Sequence, residues 1–210
     1  MISLILTGSV ATGKTTVSNF MQEQKAIIID TDLLTHGLYD YPSPTINKLV
    51  DTFGENILDK DLSVDRKKLA KIVFNDPESL KKLNDIVHPD VRAKVNQVTK
   101  YYQDIETKLN KNFLIVYVIP LYFEAGKNYT ADYIVVATCS KEKQLERLIK
   151  RGGYSLDEAE RRIDTQISIT EKIKYSNYII DTNQDFDKIK NNVYQLLASW
   201  KWDRYEESYN

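Results

Sequence analysis

Residues 6–17 read LTGSVATGKTTV, and within them Gly8 to Thr15 fit the spacing G-x-x-x-x-G-K-[ST]. Glycines at both ends let a backbone curl until successive N–H groups converge on one oxyanion. A helix starting near Lys14 would add its unbonded amides and the positive end of its dipole. Lys14 would reach the β- and γ-phosphates of a nucleotide as a point charge, and the Thr15 hydroxyl would be a Mg²⁺ ligand. A hydroxyl-rich turn with a chance lysine is the alternative, and the strand-then-helix context argues against it. The stretch reads as a nucleoside triphosphate site, with Ala11, Thr12, Gly13, Lys14, Thr15 and Thr16 as contacts.

A second cluster follows in IIIDTDLLTH at 27–36. Asp30 and Asp32 lie on the same side of an extended chain, at the carboxyl edge of the sheet. A carboxylate there can take the proton of an acceptor hydroxyl, or hold a magnesium-bound water. One of the two could instead cap a helix starting at Leu33. Catalysis is the favoured reading for Asp32.

These residues need a frame to hold them. Short β-rich apolar runs recur at 2–6, 26–30, 113–119, 133–138 and 177–181, separated by amphipathic stretches. Continuous apolar strands alternating with helices indicate a parallel sheet covered on both faces. Val17, Phe20 and Met21 form one helix stripe; Phe186, Ile189, Val193, Leu196, Leu197 and Trp200 form another. Residues 33–112 are polar and helix-patterned, an insertion at the edge where α/β proteins bind ligands. RGGYSLDEAERRIDTQISITEKIK (151–174) reads as a solvated helical hairpin able to move, and the tail WDRYEESYN as frayed.

Composition narrows the classes further. The chain has 210 residues, 28% charged and 42% hydrophobic, with a formal net charge of −1. No global basic field draws it to nucleic acid or membrane. A single cysteine, Cys139, excludes a disulfide framework and a cysteine-rich zinc site, and its strand-end neighbours suggest a buried, inert thiol. The longest apolar run, 113–123, falls short of the roughly 20 residues that cross a bilayer. MISLIL lacks a basic flank and reads as a strand, not a signal peptide, so a cytoplasmic location is expected. A GTPase would need D-x-x-G after a strand and N-K-x-D; DTFG at 51–54 follows a helical pattern, and N-K-x-D is missing. An ATPase module would carry an acidic strand end, whereas the third strand ends VYVIP. A small-molecule kinase remains.

The order of DTD (30–32), DRKKLAKIVF (65–74), HPDVR (88–92), IPLYFE (119–124), QLERLIKR (144–151), Gln166 and NYIIDTN (177–183) behind the phosphate loop resembles dephospho-coenzyme A kinases. The resemblance is collinear over nearly the whole chain. It departs at Ser9 of the loop, at Thr15, where serine is usual, and at Ser176-Asn177.

The resemblance implies an α/β three-layer P-loop kinase sandwich with a five-stranded parallel sheet. Residues 1–32 and 113–205 would form the nucleotide-binding core, 33–112 a helical acceptor-binding insertion, and 151–173 a lid. ATP would phosphorylate the ribose 3′-hydroxyl of dephospho-coenzyme A with Mg²⁺, Asp32 and Lys14 being catalytic. Arg147 and Arg151 are candidates for ATP phosphate by charge logic, against a solvated helix face paired as Glu146–Lys150. Arg161 and Arg162 are weaker candidates. Arg66, His88 and Arg92 are candidates for the acceptor, against surface ion pairs for the arginines and a structural hydrogen-bonding role for His88. Tyr122 and Phe123 pack the sheet edge or stack on a base; His36 has only its place after Asp32. The rivals are another P-loop small-molecule kinase and a non-catalytic ATP-binding regulator. Oligomeric state is not legible.

Overall fold

The computed structural model describes residues 1–74 and 76–204. They divide into two compact units, one of residues 1–30 with those from 103 to 204 and one of 31–102.

The first unit is built on five strands: β1 (Ile2–Thr7), β2 (Ile27–Asp30), β3 (Leu114–Val118), β4 (Tyr133–Thr138) and β5 (Tyr178–Asp181). All pair in parallel, in the order β2-β3-β1-β4-β5. Every residue of β3 is buried, as are Leu4, Ile5 and Leu6 of β1. That is why these runs are apolar without alternation: both sheet faces are covered. Helix α1 (Lys14–Glu23) buries Val17, Phe20 and Met21 against the sheet core. Each such side chain contributes about 1.5–3 kcal/mol by leaving water. β1 sits between β3 and β4, so chain order reverses across it and a crevice opens at its carboxyl end. The loop at 8–13 occupies that end.

The same unit carries α6 (Lys141–Gly152), α7 (Leu156–Asp164), α8 (Ile169–Ile173) and α9 (Phe186–Ala198). On α9, Ile189, Val193 and Leu197 are buried, but Phe186 is 67% exposed. Its ring meets that of Phe20 edge-on at 5.4 Å. Leu196 and Trp200 are only half-buried, Trp200 stacking on Tyr133 at 4.6 Å. The stripe read from the sequence is therefore narrower than its apolar residues suggest.

Two other expectations change. The 151–174 segment is not solvated throughout, because Ala159 and Lys172 have no exposure. The tail is fastened at its start: Trp202 Nε1 donates to Leu197 O, and the Asn112 amide donates to the Asp203 carboxylate at 2.7 Å. The rest of the tail expectation falls on 205–210, outside the described residues, as does the final residue of the 113–205 boundary.

The second unit is helical: α2 (Thr31–Tyr39), α3 (Pro44–Phe53), a 3-10 turn (Glu55–Ile57), α4 (Arg66–Val73) and the start of α5 (Pro77–Leu109). Caps explain the starts of α3 and α4. Ser43 Oγ accepts from the Thr45 amide, and the Asp65 carboxylate accepts from the amides of Lys67 and Lys68. Ile46, Leu49, Ile57, Leu69, Val87 and Val91 are buried in this unit. Asp90 joins α3 to α5, accepting from Thr45 Oγ1 and Lys48 Nζ at 2.8 Å each. Pro89 stands inside α5.

Candidate active site

After β1 the backbone turns at Gly8, where φ is 150° and a Cβ would lie 2.4 Å from Ala137 O. It turns again at Gly13, φ 86°, the N-cap of α1, where a Cβ would press on Thr182. No side chain caps the helix, so the first-turn amides of Thr15 and Thr16 lack an intrahelical acceptor. Ala11 has φ 58°, a left-handed conformation that costs a non-glycine residue about 1–2 kcal/mol. Such a concave run of amides at a helix start is a ready oxyanion site. Lys14 Nζ donates to Gly8 O and Ser9 O at 2.9 Å each, folding its ammonium back over the loop. Thr15 is exposed, and Thr12 is buried with Oγ1 donating to Ser9 O at 2.8 Å. Thr12 therefore shapes the loop from within.

The loop's outer side is braced by residues far away in the chain. Arg147 NH1 donates to Ala11 O and to Thr182 Oγ1, both at 3.0 Å, and NH2 to Thr182 O at 2.8 Å. Thr182 Oγ1 donates to Thr12 O at 2.8 Å, and Gln144 Nε2 to Val10 O at 2.6 Å. The Val10 amide, in the preceding peptide, donates to Gln166 Oε1 at 2.8 Å, so Val10 is held through both of its main-chain polar groups. A guanidinium is a fork of donors suited to several acceptors at once, and here it holds loop and strand-end oxygens. Charge logic directed Arg147 at phosphate; in the structure its fork lies against main-chain carbonyls. Arg151, a turn later on α6, is exposed. Arg161 is also exposed, and Arg162 sits 4.2 Å over the Tyr154 ring. Cys139 is buried beside the loop, and burial pushes its thiol above the usual range, which suits an inert role. Tyr122 and Phe123 are buried, which favours packing at the sheet edge over a base platform.

In the helical unit a cleft of about 230 Å³ is lined by Asp32, Thr35, His36, Tyr39, Arg66 and apolar residues of α4 and α5. Asp32 and Arg66 thus share one cleft, although a loop, a helix and a turn separate them in sequence. Burial pushes the Tyr39 phenol up, and the nearby Arg66 charge opposes that shift. Asp32 sits in the first turn of α2, so it is a helix residue and not the end of the strand. Thr35 and His36 follow it at i+3 and i+4, which puts all three on one face. Sequence reasoning passed over Thr35 and Tyr39 and gave His36 nothing; helical spacing was the signal that could have found them.

His88 and Arg92 do not line this cleft. They stand one turn apart on α5, His88 exposed and Arg92 half-buried. Partial burial first, and the Arg92 charge second, hold the His88 imidazole below its usual pKa, while Asp85 opposes them. No group of three metal-ligating side chains is found among the described residues. A cation at the loop would rest on Thr15 and on phosphate oxygens.

The family model for dephospho-CoA kinase matches residues 2–188. A dephospho-CoA kinase of Carboxydothermus hydrogenoformans is 39% identical over 201 residues, 94% of this chain and 93% of that one. Among solved structures, a Thermus thermophilus protein superposes with TM-score 0.78 at 26% identity, covering 95% of this chain and 98% of its own. The dephospho-CoA kinase of Campylobacter jejuni superposes with TM-score 0.61 at 29% identity, covering 94% and 96%.

Proposed function

The chain belongs to the dephospho-CoA kinase family, and from that premise we propose how its own residues divide the ATP-dependent last step of coenzyme A synthesis. The supporting observation is the loop of residues 8–15, where a Cβ at Gly8 would meet the Ala137 carbonyl, Gly13 holds a positive φ and the helix start has no side-chain cap. That cradle fits a triphosphate.

The amides of Gly13 to Thr16 bind the phosphate oxygens, and Lys14 swings from its loop carbonyls onto the β- and γ-phosphates. The exposed Thr15 hydroxyl fits a Mg²⁺ ligand; a bound ion would neutralise oxygens that gain charge during transfer. Asp32 orients the acceptor's ribose 3′-hydroxyl and takes its proton. The acceptor oxygen bonds to the γ-phosphorus, the bond to the bridging oxygen breaks, and ADP leaves with that electron pair. Because the transition state is loose, positioning and charge dominate over covalent help. Arg66 holds an anionic group of dephospho-coenzyme A in the cleft it shares with Asp32, and His88 and Arg92 add acceptor contacts from α5. Arg147 acts on ATP through the loop it braces, and Arg151 reaches phosphate directly when the part of the 151–173 lid ahead of the Gln166 anchor closes. The helical unit 31–102, where the sequence suggested 33–112, serves as the acceptor unit.

No helix among the described residues is long and apolar enough to cross a membrane, and we place the reaction in the cytoplasm on small molecules, with no role for nucleic acid. The test is ADP release with Mg·ATP across a panel of alcohol acceptors. Release should depend on dephospho-coenzyme A; equal release with shikimate or gluconate, or none with any acceptor, contradicts the assignment.

A further inference from the structure

The stretch 166–172 is tied down at both ends by residues outside the proposed nucleotide contacts. At one end Gln166 Oε1 accepts from the Val10 amide at 2.8 Å. At the next residue, the Ile167 amide donates to Glu124 Oε1 at 3.1 Å. Lys172, on α8, places Nζ 2.8 Å from the same oxygen. Glu124 itself comes from the connection between β3 and β4.

The Lys172 side chain has no solvent exposure and that of Glu124 only 18%. Glu124 Oε2 finds no hydrogen-bond partner, and the Lys172 ammonium, though close to Oε1, lies off the hydrogen-bonding directions. A buried ion pair with groups left unsatisfied is a poor source of stability, because desolvation offsets the attraction. Apolar residues of similar volume would hold α8 as well. What they could not supply is a carboxylate oxygen fixed in front of the Ile167 amide.

We propose that Glu124 and Lys172 are positioning residues for the phosphate cradle. The ammonium fixes the carboxylate and the carboxylate fixes the Ile167 backbone. That backbone then aims Gln166 at the Val10 amide, opposite the brace from Gln144 to Val10 O. Held at its amide by Gln166 and at its carbonyl by Gln144, Val10 keeps its two flanking peptides in the orientation that lets the loop curl. The inference rests on the nucleotide reading of residues 8–15, and it assigns Gln166 the role of last link, not of phosphate ligand.

The test is calorimetric titration of the full-length protein with Mg·ATP, without acceptor, alongside thermal unfolding. A double-mutant cycle of Gln166→Ala and Glu124→Ala separates positioning from general stability. Each single variant should raise the ATP Kd roughly five- to tenfold, as loss of a main-chain hydrogen bond implies. The double variant should be no weaker than the weaker single. Lys172→Met, which removes the ammonium that fixes the carboxylate, should raise Kd by a similar factor and add nothing further to Glu124→Ala. If Glu124→Ala does not fold, Glu124→Asp, one methylene too short, replaces it in the cycle. Effects on Kd that simply multiply, or tighter ATP binding by Gln166→Ala, overturn the proposal while the nucleotide reading stands. A wild-type protein that binds no ATP overturns that reading, and the proposal with it.

Discussion

The loop at 8–15 and the helical unit at 31–102 hold their candidate groups in opposite ways. At the loop, main-chain atoms do the holding, and their positions are fixed from outside by Arg147, Gln144, Thr182 and Gln166. In the helical unit the candidates are side chains on helix surfaces: Asp32, Arg66 and His88 are all exposed. A triphosphate tail is the same in every reaction of its kind, so a rigid main-chain cradle suits it. An acceptor must be selected, and selection rests on side chains that can change without disturbing a backbone. Failure should follow the same split: changes at the loop should damage nucleotide binding or folding, and changes at the helices should damage acceptor use alone.

The largest effect should come from Lys14→Ala. Loss of a charge that follows the transferring phosphoryl group should lower kcat by about 10³-fold, on the order of 4 kcal/mol, in steady-state ADP release. Asp32→Asn should lower kcat by roughly 10²- to 10³-fold with ATP Kd within about twofold of wild type, measured by calorimetry. A parallel loss of ATP affinity would break the proposed division of labour. Gly8→Ala should lower stability by about 1–3 kcal/mol in denaturant unfolding, because its Cβ meets the Ala137 carbonyl. Arg66→Ala should raise KM for dephospho-coenzyme A about tenfold and leave KM for ATP unchanged. The smallest effect concerns His88. Its folded-state pKa lies below the unfolded value near 6.5, so the neutral form is favoured by folding. Its contribution is present in full above pH 6.5 and is lost as the pH falls through the lower, folded pKa. Thermal unfolding from pH 7.5 to 5 should therefore show a slightly shallower acid-side decline in His88→Asn than in wild type.

Much of the frame was legible because its causes are local. Five β-branched runs became five strands, since a doubly covered sheet asks for nothing else at those positions. The loop was legible because its glycines, lysine and threonine stand at fixed spacing between strand and helix. Its braces were not. Gln144, Gln166 and Thr182 lie more than a hundred residues from the peptides they hold, and a glutamine that bonds a main-chain amide has no spacing to reveal it. Arg147 shows the same limit: its charge suggested phosphate, but a guanidinium satisfies carbonyls equally well, and only the fold says which are near. The Asp32–Arg66 cleft was half legible. Each residue was singled out, yet Tyr39 and His36 complete it through helical spacing that a reading of Asp32 as strand end concealed. The buried Lys172 was missed because the surrounding charges imitate a solvated surface.

The central claim is that this cradle delivers a γ-phosphate to a ribose hydroxyl. Phosphorus NMR of the protein mixed with Mg·ATP and dephospho-coenzyme A tests it directly. The account predicts that the γ-signal of ATP is replaced by ADP signals and one new phosphomonoester signal on the 3′-oxygen. ATP that binds yet keeps its γ-signal in the presence of that acceptor would contradict it.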